Sequence, residues 1–129
     1  MTKAEAFYNF FSSFGIDAYE EDSVPQSPNA PSFPYITYSL VLDSFGRDTS
    51  VTANIWYRNR SGYSAIPDLI RKVDDISRAV GRGGVMIRCD GGAIWIRRGA
   101  PFSQIMGDPE DELIKRAYIN LTAETLTAD

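Results

Sequence analysis

A chain of 129 residues, 43% of them hydrophobic and 23% charged, falls in the range of one globular domain and outside that of disordered segments. Its net charge of −4 speaks against a partner gripped mainly through phosphates, because a basic excess is needed to displace counterions from nucleic acid. No apolar run nears the roughly 20 residues of a membrane span, MTKAEAFYNFFSSFG lacks the cleavage site of a signal peptide, and the single cysteine, Cys89, leaves no internal disulfide, so the chain reads as soluble and cytoplasmic.

Thr2 and Glu5 have the spacing of a capping box, after which Ala6, Phe7, Phe10, Phe11 and Phe14 recur at helical steps. An N-terminal helix with an aromatic core face follows, ended by Gly15 in a left-handed conformation. Ile16 to Tyr19 reads as a short strand ahead of the acidic run Glu20, Glu21 and Asp22. Pro25, Pro28, Pro31 and Pro34 then recur every three residues, a spacing that favours an extended left-handed conformation. Residues 23–34 therefore read as an exposed arm or loop bracing the fold or a neighbour.

Pro34 holds Phe33 extended. Tyr35 to Leu42 alternates as a strand, DSFGRD turns, and SVTANIWY returns antiparallel to it. RNRSGYSAIPD is a connecting loop. Ile66, Leu69, Ile70, Val73, Ile76 and Val80 predict a second helix over 66–80, with Pro67 in its first turn and Gly81, Gly83 and Gly84 beyond its end. On its outer face Arg71 with Asp75, or Asp74 with Arg78, can pair one turn apart. VMIRC and AIWIRR flank Asp90, Gly91 and Gly92 as a tight hairpin. Asp108 and Pro109 could start a helix, but IKRAYINLTAETLT alternates like a strand, and a terminal strand from about Ile114 is the expectation. The fold class is α+β: one domain, 1–129, with a mainly antiparallel or mixed sheet of five to six strands and two principal helices packed on it.

Catalytic chemistry finds little to stand on. The chain has no histidine, which removes Ser–His and Cys–His pairs and histidine metal sites. Cys89 has only Arg88 beside it to lower its pKa and reads as a small strand residue. The carboxylate runs 20–22 and 110–112 lie in loops and match no acid–base pair or calcium loop. The glycines at 81–84 and 91–92 lack the Gly-Lys-Ser/Thr ending of a phosphate loop. No enzyme, cofactor or metal is expected.

Binding and assembly remain. Tyr19, Phe33 and Tyr35 flank the proline segment, and Trp56, Tyr57 and Tyr63 surround RNRSG, with the arginine pairs Arg58/Arg60 and Arg97/Arg98 nearby. Aromatic and arginine side chains anchor protein interfaces. The plainer expectation is that Trp56 points into the core and Tyr57 merely ends a strand. A small nucleic-acid-binding domain using Trp56, Tyr57 and these arginines is the alternative function.

FPYITYSL, NIWYRNRSGYSAI before an amphipathic helix, the glycine hairpin, RGAPF and the closing IKRAYINLTAE together resemble the tail terminator (tail-completion, head–tail joining) proteins of long-tailed phages and prophages. The likeness spans Phe33 to Glu124, and its motifs are structural phrases without catalytic signatures. It implies a homo-oligomeric ring, typically a hexamer, that caps the tail tube, ends its polymerisation and joins it to the head connector or neck protein. Its partners would be other copies of itself, the tail tube protein and the connector, with DNA only in transit. The implied locations are the host cytoplasm during assembly and the virion tail. On this reading the arm, with loops 58–65 and 99–112, supplies the contacts. The candidate interface is Pro28, Pro31, Phe33, Tyr35, Tyr57, Arg58, Arg60, Tyr63, Arg98 and Phe102.

Overall fold

Helix α1 (Lys3–Ser12) begins as its sequence requires: the Glu5 amide donates to the Thr2 hydroxyl at 3.1 Å and the Thr2 amide donates to the Glu5 carboxylate at 2.9 Å. The computed structural model describes residues 1–39 and 48–127. Within them the chain continues as β1 (Asp17–Glu20), β2 (Tyr35–Tyr38), β3 (Asp48–Arg58), α2 (Ile66–Val80), β4 (Val85–Cys89), β5 (Gly92–Gly107) and β6 (Ile114–Thr127). The expected strand residues Leu40, Val41 and Leu42, and the turn after them, lie outside the described residues.

The six strands form one mixed sheet in the order β1-β2-β3-β6-β5-β4. With two helices beside it, this is the α+β fold expected from the sequence. β1 runs parallel to β2 and every other pair is antiparallel. Both helices pack on one face, where alternate strand residues build the core: Ile36 and Tyr38, Val51 through Tyr57, Ile94 and Ile96, and Ala117 through Ala123. The aromatic stripe of α1 is core, as its spacing suggests. Phe7 and Phe11 are buried, and the Phe11 ring stacks on Tyr38 with centroids 4.6 Å apart.

Helix α2 keeps its expected bounds, and Gly81 closes it at a φ of 73° with its amide bonded to the Ser77 carbonyl at 2.9 Å. Leu69, Ile76 and Val80 are buried, whereas Ile70, one residue and about 100° round the helix from Leu69, is exposed.

Four expectations of the fold need correction. Helix α1 stops at Ser12, capped by Ser13, so Gly15 takes its positive φ in the turn beyond. The outer pairs of α2 are Arg71–Asp68 and Arg78–Asp75, each at 2.7 Å and three residues apart, in place of the expected four-residue pairs. β2 pairs with β3 as foreseen, but also with β1 in parallel, a contact that no local signal announces.

The proline segment is not one continuous extended helix. A turn closes at its middle, with the Asn29 amide donating to the Gln26 carbonyl at 2.8 Å. Finally, 99–107 is strand and not loop, since β5 continues to Gly107 through an irregularity between Arg98 and Ser103. Pro101 is tolerated there because it lies within that irregularity, where 99–102 pair with neither β6 nor β4 and no ladder bond needs its amide. Gly99 has its own reason: a β-carbon there would come within 2.6 Å of the Asn120 side chain.

Candidate functional site

The sheet face away from the helices carries the residues of opposite parity. In β3 these are Thr52, Asn54, Trp56 and Arg58, and the register sets Tyr35 opposite Trp56 and Trp56 opposite Arg116. The Trp56 and Tyr35 rings stack at 6.2 Å, Tyr19 meets Tyr35 edge-on at 6.2 Å, and Phe33 tilts against Tyr35 at 5.3 Å. Trp56 donates its indole N–H to the Thr37 hydroxyl at 2.9 Å. The Arg116 guanidinium lies 5.5 Å from the Trp56 ring centroid and donates to Asn54 Oδ1 at 2.9 Å. This half-buried row, aromatic across β1, β2 and β3 and continued by Arg116 on β6, has no helix over it among the described residues.

Trp56 and Tyr57 have therefore exchanged their expected roles. Tyr57, only 7% exposed, belongs to the core, where burial raises its pKa, and Trp56 lies on the open face. The cause is visible in the strand itself. Val51, Ala53, Ile55 and Tyr57 form an unbroken apolar set, while Thr52, Asn54 and Arg58 share the other parity with Trp56.

Loop 58–65 is fastened from several sides. Arg58 bonds Asp111 at 2.6 Å, the Asn59 amide donates to the Leu113 carbonyl at 2.8 Å, and Asn59 Oδ1 accepts the Ala65 amide at 2.8 Å. Arg60 and Tyr63 form an antiparallel bridge, with the guanidinium 4.8 Å from the Tyr63 ring centroid. The Tyr63 hydroxyl donates to the Asp68 carboxylate, a bond that raises the tyrosine's pKa. Asp111 accepts the Leu113 amide and the Arg58 guanidinium, which together hold its pKa below the usual carboxylate range.

Phe33, Pro34, Tyr57, Arg58, Arg60 and Tyr63 line a cleft of about 210 Å³. The structure thus brings together five of the candidate interface residues (Phe33, Tyr57, Arg58, Arg60 and Tyr63), with Tyr35 against Phe33. It does not bring the others to this place. Pro28 is exposed and Pro31 half-buried in the segment before it. Arg98 donates to the Ser77 hydroxyl at 3.0 Å on the α2 side, and Phe102 packs against the core. Arg97 is bound to Asp48 at 2.5 Å and stacks over Trp95 at 4.2 Å. Two of the four paired arginines thus meet acids: Arg58 and Arg97.

Segment 24–34 contrasts with this loop. Among the described residues its hydrogen bonds are internal: Gln26 to the Val24 carbonyl at 3.2 Å and Asn29 to the Gln26 carbonyl. Residues 26–30 are all exposed. Asn54, Thr37 and Arg116, the partners that fix Trp56, were not singled out from the sequence; their common signal is a polar parity on β2, β3 and β6.

The chain was also compared with known proteins. No protein family, curated protein or solved structure matches it. Among the described residues no cluster of His, Cys, Asp or Glu is grouped to hold a metal ion, and no helix is long and apolar enough to cross a membrane.

Proposed function

We propose that this chain is a structural subunit of phage or prophage morphogenesis. It would form a ring that caps the tail tube, ends its polymerisation and presents a surface to the head connector. The motif resemblance supplies the specific role. The structural observation that supports an assembly role is segment 24–34, exposed over 26–30, bonded among the described residues only within itself, and rooted at Phe33 on the half-buried aromatic row. An ordered sheet offering a locally bonded segment beside half-buried rings suits contact with another subunit. Its setting would be the host cytoplasm during assembly and the tail–neck junction afterwards, with no catalytic step.

The test is polymerisation of the tail tube subunit from the same phage, with and without this protein. The expected result is tubes ending in a ring, visible by negative stain, and no further growth from capped ends. Unchanged growth with no bound ring would end the proposal.

One observation favours the nucleic-acid reading: Trp56 is on the open face with Arg116 beside it. Against it, Tyr57 is in the core and Arg58 is held by Asp111, which removes two of the groups that reading relied on. It predicts binding of single-stranded nucleic acid that weakens steeply with salt, and no binding at low salt would close it.

A further inference from the structure

Among the described residues, two stretches of strand edge, one on β5 and one on β1, have a strand on one side only. Beyond Ile96, β5 pairs with β6 through Arg97–Arg98 and Ser103–Gly107 on one side and, among the described residues, with no strand on the other. Among the described residues no backbone bond from outside the sheet reaches 99–107. Edges of this kind are usually blunted by charge, proline or a bulge. Here Pro101 and the irregularity protect only the approach, and the stretch Phe102–Gly107, FSQIMG, carries no charge and leaves Ile105 39% exposed. At the opposite end β1 pairs only with β2. Along it runs a largely polar groove of about 410 Å³, bounded by Tyr8 and Ser12 of α1 and by residues 15–19.

The ladders place these edges at one height. Asp17 is level with Tyr35, Trp56, Arg116 and Met106, and Glu20 with Tyr38, Ala53, Ile119 and Ser103. Strand directions along the sheet make β1 and β5 antiparallel. A second copy that continues the sheet therefore sets Asp17 against Met106, Ala18 against Ile105, Tyr19 against Gln104 and Glu20 against Ser103. Every pair then shares a face. Ala18 and Ile105 both lie on the helix side, where the small alanine leaves the groove open to the isoleucine beside Tyr8, itself 49% exposed. Charge agrees as well: continuing past Glu20 brings Glu21 and Asp22 toward the exposed Arg98, and acid meeting base selects this register.

We infer that β1 of one copy docks antiparallel on the Ser103–Met106 edge of β5 of the next, so that subunits join head to tail through a continuous sheet. The two edges are different surfaces, which makes the contact heterologous, as ring closure demands. The inference rests on the proposed ring in naming a second copy as the occupant and in setting the two edges at equal height.

The pairing fixes its own test. In a Cys89→Ser background, the double variant Tyr19→Cys/Gln104→Cys sets the two thiols on directly opposed residues of neighbouring copies, a separation that a disulfide spans. Oxidation should give a ladder of covalent oligomers ending at the ring size, whereas each single variant gives none beyond background. Ile105→Lys places a charge on the edge and should abolish assembly. Its monomer should keep its circular dichroism and melting temperature, since the side chain is exposed. Amide exchange at 17–20 and 102–107 should be slowed roughly tenfold or more in the assembled wild type and not in Ile105→Lys. Rings without the ladder, and still present in Ile105→Lys, overturn the edge pairing and leave the ring proposal standing. A ladder with open filaments in place of rings supports the pairing and overturns the ring. A wild type that stays monomeric at every concentration, with no ladder, overturns both.

Discussion

Two surface connections of this protein both carry candidate contact residues and differ in how they are held. Loop 58–65 and segment 24–34 both carry aromatics, both run between ordered elements, and both meet at the cleft bounded by Phe33 and Tyr63. The loop is tied by Arg58 to Asp111, by Asn59 to Leu113 and Ala65, and by Tyr63 to Asp68. The segment bonds only to itself among the described residues. Aromatic and arginine content therefore does not by itself mark a free binding surface. In loop 58–65 those side chains serve the fold's own closure, and the less conspicuous proline stretch is the one to which the proposed subunit contact is assigned.

The largest effect that would sharpen this contrast lies at the two roots. Tyr57→Ala, which empties a core position under the tied loop, should cost about 3–5 kcal/mol in urea unfolding. Phe33→Ala, at the half-buried root of the segment, should cost well under half as much. Equal costs would remove the distinction. Next, Asn59→Ala leaves the buried Ala65 amide without its acceptor at the start of α2 and should cost about 1–3 kcal/mol. A loss near zero would show that the loop's ties are incidental.

The pH dependence of the tied region has a definite sign. Asp111 titrates below its unfolded value, near 4, because the Leu113 amide and Arg58 favour the carboxylate. Its contribution is fully present above the unfolded value and is lost as pH falls through the folded value. Asp111→Asn should therefore be less stable than the wild type at neutral pH. The gap should close below pH ~4, the unfolded carboxylate value, in unfolding curves recorded across pH. A gap that persists unchanged at low pH would separate the loop's stability from this carboxylate.

Much of the fold was legible because its signals are local. The Thr2/Glu5 capping box, the 66–80 spacing with Gly81 behind it, the Asp90–Gly92 hairpin and the alternation after Ile114 each sit within a few residues of the structure they specify. The rest depended on partners far along the chain. Nothing near Asp17 announces its parallel pairing with Tyr35, and Pro101 reads as a strand breaker until β4 is seen to stop short of it. The candidate site fared similarly. Phe33, Arg60 and Tyr63 were found by type, while the parity of Trp56 was overlooked although Thr52, Asn54 and Arg58 declare it.

The smallest effect on stability is expected where the assembly role is placed. Parallel strands cannot be joined by a tight turn, so the return from Glu20 to Tyr35 needs a crossover of about a dozen residues whatever else it does. The length of residues 21–34 thus follows from topology, and deletion would strain the β1–β2 pair and confuse folding with assembly. A replacement that keeps the length avoids this: residues 25–31 exchanged for a glycine–serine run should change unfolding free energy by no more than about 0.5 kcal/mol, because among the described residues they bond only locally. The same variant should self-associate more weakly in sedimentation over a wide concentration range, since Pro28 and Pro31 limit the disorder that a contact would otherwise have to remove. Unaltered association would assign the segment to the crossover alone and leave the strand edges as the surface through which copies meet.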